Sequence, residues 1–407
     1  MSILIKLPQL AWYEPSELKL PLPDGWRVEV CNMAGYDRPV MTDDQIRHSI
    51  THLIGSPPIR EIAKGKQEVV IIFDDIARVT RVARIVPFVL EELADAGIPD
   101  RRIRFIAATG THGAMTREDF AKKLGEPVLA RFRFYNHNPF DNCTYVGTTS
   151  RGTKVSLNSE FMQCDFRIAI GSITPHLFVG FSGGGKIILP GISSFETILY
   201  NHRLPCDAAA KAKYETNPIP LDMSEAADFA HLDVNIEGLV NLWGETVDLF
   251  AGELKQSHDI GILAAKSHYL TKMAKNKDVV IANAYAKVSE AGAGLGTAYP
   301  SVKQEGGDVV LICNAPQGQV VHYLGGPWGE NFCGRQSIKI PVPPHINRLI
   351  VYTEYPDLTG LGFIEQSEKV MMLNQWDDVL KVLQESHGNH AEVVVYPNAD
   401  IQQYSGE

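Results

Sequence analysis

Short apolar runs alternate along this chain with stretches whose apolar residues recur at helical spacing. Glu68–Phe73 (EVVIIF) is an unbroken apolar run of strand length that ends in Asp74-Asp75. Over Arg81–Ala96 the apolar positions 82, 85, 86, 89, 90 and 93 fall three and four apart, which predicts a helix. Arg102–Ala107 reads as the next strand and runs into Thr109-Gly-Thr-His-Gly113. Thr116-Arg-Glu-Asp119 has the form of a helix N-cap with acidic residues in its first turn. Phe166–Gly171 is another strand and feeds a glycine-rich loop. Ser193-Ser-Phe-Glu196 reads as a capping box opening a helix that reaches Asn201-His202.

Residues 205–235 are read as irregular, with Pro205, Pro218 and Pro220. Val247–Ala251 is a strand pattern and Lys255–Asn276 a long helical one. A second series follows, with strands expected at Asp278–Asn283, Asp308–Asn314, Arg348–Thr353 and Glu392–Tyr396. Alternating strands and helices imply α/β layers with mostly parallel sheets. We expect two α/β domains, residues 1–265 and 266–407, with a cofactor and substrate cleft between them. In such sheets ligands gather beyond the carboxyl ends of strands. Three polar clusters occupy that position in the first domain: Asp74-Asp75 with Arg78, Thr109 to His112, and Thr174 to His176.

Composition narrows the partners. A formal charge of −10 disfavours a nucleic-acid binder, which needs a basic face. No apolar run approaches the ~20 residues of a membrane helix. The first residues lack the basic start, apolar stretch and cleavage site of a leader, so a cytoplasmic protein is expected. The six cysteines form no C-x-x-C pair, which indicates neither a zinc ribbon nor a disulfide framework.

Gly180-Phe-Ser-Gly-Gly-Gly185-Lys186 fits the G-x-x-x-x-G-K pattern of a phosphate loop. The context does not. A magnesium-holding hydroxyl belongs directly after the lysine, and Ile187 stands there. Pro190-Gly191 ends the prospect of a regular helix. What remains is a backbone-rich loop carrying one lysine between His176 and His202. Of the thirteen histidines, His112 and His176 follow strands, where either acid–base work or metal ligation suits them. His137, His258 and most others receive no role. His322 lies in a loop, Val321 to Glu330, that suits closing over a cleft.

Asp74-Asp75-x-x-Arg78, Gly110-Thr111-His112 and Pro175-His176-x-x-x-Gly180-x-Ser182-Gly-Gly-x-Lys186-x-x-Leu189-Pro190-Gly191, followed by Asn201-His202, together resemble the nickel-dependent lactate racemase family. The resemblance covers the first domain and, more loosely, the second. It implies an isomerase: a racemase or epimerase of a small 2-hydroxy acid, working by reversible hydride transfer to a nickel-pincer nucleotide. That cofactor would be attached covalently through Lys186, with His202 as the protein's nickel ligand and Ser182, Gly183 and Gly184 lying against it. His112 and His176 match the acid–base pair, Arg78 the carboxylate clamp and Asp75 its neighbour in the site. Cofactor-biosynthesis proteins would be partners in the cell.

Family members known as lactate racemases carry a polar Gln and Lys in the second domain. Here the corresponding stretch holds Gly292, Gly294 and Gly296, which would leave room for a larger or different 2-hydroxy acid. Tyr285, Lys287 and Glu290 are candidate substrate contacts. The competing readings are a metal- or nucleotide-dependent hydrolase and a non-catalytic cofactor-binding relative.

Overall fold

A computed structural model describes residues 3–176, 178–205, 216–326, 329, 339–358, 360–365 and 367–404. The chain divides into two units: residues 38–241 with 245–266, and residues 1–37 with 242–244 and 267–407. The expected division put residues 1–37 with the first domain. They fold instead with the second, because strand Arg27–Val30 pairs in parallel with Glu392–Tyr396. Both units are α/β with large, mostly parallel sheets, as the alternation of patterns implies.

The first unit is built on six strands in the spatial order Thr246–Gly252, Val234–Val240, Phe166–Ser172, Val69–Asp74, Ile103–Ala108, Arg133–Asn136. All neighbours run parallel except the pair Val234–Val240 and Thr246–Gly252. Val69 to Phe73 are buried without a break, which explains their continuous apolar run: helices cover both faces of the sheet. The helix Val82–Asp95 buries Val82, Ile85, Val86, Val89 and Leu93, the stripe that its spacing predicts, against Phe73, Phe105 and Phe120. Thr116 caps the helix Arg117–Leu124 in a full capping box with Asp119. The next predicted cap moves by one residue: Ser194, not Ser193, accepts from Thr197 N–H and opens the helix Phe195–His202.

Two expectations about helices change. The stretch read as irregular contains the helix Pro218–Asp228, which both prolines permit by standing in its first turn, where no intrahelical N–H is needed. The long helix ends at His268 rather than near 276, since Leu270–Thr271 leaves it to pair with Gln403–Tyr404.

The second unit has six parallel strands in the order Val370–Leu373, Ile346–Tyr352, Gly307–Ile312, Val279–Asn283, Glu392–Tyr396, Arg27–Val30. The period of two divides its core between two faces. Val280, Ala282, Val309, Leu311 and Val394 face one layer. Val279, Ile281, Val310, Ile312 and Val393 face the other, covered by the hairpin of Ile3–Gln9 with Ser16–Leu22 and by helix Trp376–His387. No helix among the described residues is long and apolar enough to cross a membrane.

His137 is 3% exposed and ties the first unit together. Its Nε2–H donates to the Ser193 carbonyl at 2.8 Å, and its Nδ1 accepts from Asn158 at 3.3 Å. Burial pushes its pKa down to about 4. The unfolded chain takes up this proton near the ordinary imidazole value of 6.5, so between 6.5 and about 4 acid favours unfolding. From neutral pH to about pH 5 this residue alone should remove roughly 2 kcal/mol of stability, at ~1.4 kcal/mol per unit. His137→Gln keeps one donor and one acceptor. Denaturant midpoints at the two pH values should differ less in this variant than in the parent.

Candidate active site

The three polar clusters follow three adjacent strands, Phe166–Ser172, Val69–Asp74 and Ile103–Ala108, and leave from their carboxyl ends. After Asp74 the chain turns sharply. Asp75 is 5% exposed, and its Oδ1 accepts from Ala77 N–H at 2.9 Å. Its Oδ2 meets His112 Nδ1 at 2.6 Å. A carboxylate only accepts, so Nδ1 carries the proton and Nε2 of a neutral His112 keeps its lone pair. That is the form of a general base held by an acid.

The turn that carries Arg78 rests on a residue that no sequence motif marks. Lys123, fully buried on the helix Arg117–Leu124, donates to Asp74 Oδ1 at 2.7 Å and to the carbonyls of Arg78 and Thr80 at 2.9 and 3.2 Å. Thr80 adds its hydroxyl to the other oxygen of Asp74. Burial opposes charge on both partners, raising the carboxyl and lowering the amine. Three acceptors around one ammonium offset that penalty and fix the backbone from 78 to 80.

His176 sits on a small hairpin, Pro175–His176 against Gly180–Phe181. Its Nδ1 accepts from Phe178 N–H at 3.2 Å, so its neutral form carries the proton on Nε2. The two histidines therefore present opposite faces of the same chemistry: a lone pair at His112 and an N–H at His176.

The glycine loop does not behave as an anion cradle. The hydroxyl of Ser182, 5% exposed, donates to the Ser172 carbonyl at 3.0 Å and accepts from Thr174 N–H at 2.9 Å, which shapes the loop from within. The N–H of Gly184 is taken by the Glu237 carboxylate. Lys186 lies in a single tight turn, Gly184–Ile187, and no regular helix follows, as the Pro190-Gly191 pair implies. This loop is bonded to the His112 loop: Gly110 N–H donates to the Gly191 carbonyl at 2.9 Å. Gly110 has φ +55°, and a Cβ there would lie 3.1 Å from Pro190 Cβ, so the contact favours glycine.

His202 ends its helix. Its Nδ1–H donates to the Ile198 carbonyl at 3.0 Å, which leaves the Nε2 lone pair free of any proton in the neutral ring. Loss of solvation first, and the nearby Lys186 ammonium second, hold its pKa below the usual imidazole value. Water still reaches the residue and moderates that shift. A neutral imidazole can ligate nickel through Nε2 and a lysine amine can form a covalent link, so the two side chains fit the cofactor that the family resemblance implies. The preceding Asn201 is held by the buried Asp222, which also takes Thr149 and Thr153 at 2.5 and 2.6 Å and Asn201 Nδ2 at 2.8 Å.

In the second unit, two of the three expected substrate contacts, Tyr285 and Lys287, are buried. Tyr285 is 1% exposed and its hydroxyl donates to the Trp243 carbonyl at 3.1 Å. Lys287 is buried, and its backbone N–H, like that of Tyr285, donates to Asp400. Glu290 is half-buried. The room expected at two glycines is filled: a Cβ at Gly292 would lie 2.6 Å from Ile340, and one at Gly294 would meet Ala399 and Leu311. His322 stands edge-on to Phe363. Positions 327, 328 and 330 of its loop lie outside the described residues.

Residues 13–213 match the family model described as the lactate racemase N-terminal domain. The chain is 32% identical over 280 residues to a lactate racemase from Thermoanaerobacterium thermosaccharolyticum, covering 66% of this chain and 64% of that protein. It is 30% identical over 303 residues to a lactate racemase from Lactiplantibacillus plantarum, covering 71% of this chain and 70% of that protein. Its fold matches the lactate racemase apoprotein from T. thermosaccharolyticum with a TM-score of 0.73 at 22% identity, over 99% of this chain and 100% of the other. A crystal structure of a protein from Thermotoga maritima matches with a TM-score of 0.65 at 16% identity, over 91% and 100%.

Proposed function

This chain belongs to the lactate racemase family, and from that premise we propose that it racemises or epimerises a 2-hydroxy acid. The observation that supports the reading is the pair of oppositely poised histidines in the segments that follow Ile103–Ala108 and Phe166–Ser172, the two strands flanking Val69–Asp74. His112 offers a lone pair backed by Asp75, and His176 offers an N–H. Inverting a carbinol centre requires a proton to leave the hydroxyl on one side and to return on the other. Where the keto intermediate keeps its orientation, each face needs its own acid–base group.

The cofactor we assign is the nickel-pincer nucleotide, joined to Lys186 and ligated by His202 Nε2. When bound there it supplies a hydride acceptor, which spares the reaction an unstable carbanion. The remaining work falls to side chains. Arg78, whose Nη1 donates to the Ala77 carbonyl at 3.2 Å, would turn its guanidinium to the substrate carboxylate, and Lys123 holds the backbone from which it reaches. His112 takes the hydroxyl proton through Nε2, while Asp75 steadies the resulting imidazolium. His176 returns a proton through Nε2. To do so as a cation it takes up a second proton at Nδ1 and gives up its contact with Phe178. With the opposite enantiomer the roles exchange. The nucleotide would reach the protein through dedicated biosynthesis proteins.

The nucleotide-dependent form of the hydrolase reading is weakened, since the Glu237 carboxylate already takes the Gly184 N–H. The decisive test is to make the protein in a host that synthesises the cofactor. Intact mass and metal content should reveal an adduct on Lys186 with nickel. A panel of chiral 2-hydroxy acids should then lose optical purity. A loaded protein that leaves the whole panel unchanged would end the racemase reading. A bare Lys186 with stoichiometric zinc would replace it with a metal-dependent hydrolase.

A further inference from the structure

The sharpest feature outside the proposed chemistry lies directly beneath the glycine loop. Glu237, on strand Val234–Val240, and His258, on helix Leu254–His268, are 2% and 4% exposed. His258 Nδ1–H donates to Glu237 Oε2 at 2.8 Å, and Glu237 Oε1 accepts from Gly184 N–H. Burial alone would lower the His258 pKa, but the adjacent carboxylate outweighs it and raises the value. The two side chains form a buried hydrogen-bonded acid–base pair in a place where water is scarce. Such pairs rarely add stability over an apolar pair of similar size, which points to a task other than holding the fold together.

The loop is shaped to reach them. Gly183 and Gly184 have φ +90° and +55°. A Cβ on Gly183 would lie 2.4 Å from Glu237 Oε1, and one on Gly184 would lie 2.6 Å from His258 Cδ2. On its other side the turn rests on helix Pro218–Asp228, where a Cβ on Gly185 would lie 2.7 Å from the Met223 carbonyl oxygen. The same helix supplies Asp222, which holds Asn201 beside His202. Lys186 comes two residues after the N–H that Glu237 fixes.

We propose that Glu237 and His258 are positioning residues for Lys186, clamping the turn so that its amine is presented beside His202 for cofactor attachment. This rests on the reading of Lys186 as the anchor. Neither residue touches the reacting atoms. Glu237 acts through the Gly184 N–H, and His258 acts by orienting Glu237.

The test compares Glu237→Leu, Glu237→Gln and His258→Gln with the parent, each measured in two states. First, the protein from a host lacking the cofactor is treated with a small amine-reactive ester. Modification of Lys186 is followed by peptide mass spectrometry against the exposed Lys64 as internal reference. Second, adduct occupancy at Lys186 is measured after production in a cofactor-making host. Glu237→Leu removes the acceptor and should change the relative Lys186 rate and lower occupancy, roughly tenfold or more, in molecules that still melt cooperatively. Glu237→Gln keeps an oxygen for Gly184 and should restore most of both. Should folded Glu237→Leu and His258→Gln proteins show parental Lys186 rates and parental occupancy, the positioning role is refuted. If only melting temperature falls while the rate ratio stays fixed, the pair is structural and the proposal fails as well. An unmodified Lys186 in the parent from the cofactor-making host would sink the functional reading instead, and the first measurement would still decide the clamp.

Discussion

Replacing His112 with alanine is expected to lower racemisation by about 10²–10⁴-fold, the usual worth of a general base. The fold should survive. The His112 loop is held by the Gly110–Gly191 hydrogen bond and the Thr109 contacts, none of which needs the imidazole. The Lys186 adduct and the nickel should also remain, because the side chains assigned to them belong to a different loop and helix. His176→Ala should fall by a similar factor, since each enantiomer needs one base and one acid. Asp75→Asn is the informative companion. It keeps the size of the side chain, and its amide oxygen can still accept from Ala77 N–H. Its NH2 then faces His112 Nδ1 and puts the ring proton on Nε2, the wrong tautomer for a base, so most activity should go while the protein stays folded. Substantial turnover of both enantiomers by either alanine variant would overturn the two-base reading.

Changes at Lys186 should be still more severe. Lys186→Ala is expected to give protein of unmodified mass and no measurable racemisation. Lys186→Arg separates charge from attachment: it keeps the cation beside His202 but has no amine able to form the link. It should be as inactive as the alanine variant. His202→Ala ought to split the two properties, keeping the adduct mass while losing nickel. If Lys186→Arg were loaded and active, the lysine would be an electrostatic partner of His202 and not an anchor.

Most of the first unit could be read from the chain because its strands are continuous apolar runs and its helices carry caps and stripes. The candidates Asp75, Arg78 and His112 stood out because their segments leave strand ends, whereas the roles of Lys186 and His202 came only with the family resemblance. Other features had no local signature. Strand Arg27–Val30 is a four-residue alternation whose partner lies at Glu392–Tyr396, and nothing near it announces that pairing. Helix Pro218–Asp228 was hidden by two prolines, which disguise a helix start as a loop. Lys123 stands in a helix as one more charged residue, and only the fold turns it inward. Glu237 did leave a trace, an acid inside the run V-N-I-E-G-L-V, but its partner twenty-one residues on cannot be guessed from spacing. The glycines at 292 and 294 misled in the opposite sense: a missing side chain suggested space, and neighbours had already occupied it.

The seam between Gly110 and Pro190-Gly191 has an evolutionary and practical corollary. It welds the segment bearing the base to the segment bearing the lysine, so neither can drift alone. Lineages or engineers seeking new substrates would find these two loops coupled, with a side chain at Gly110 straining the backbone and crowding Pro190. Variation has to come from surfaces that this weld does not bind.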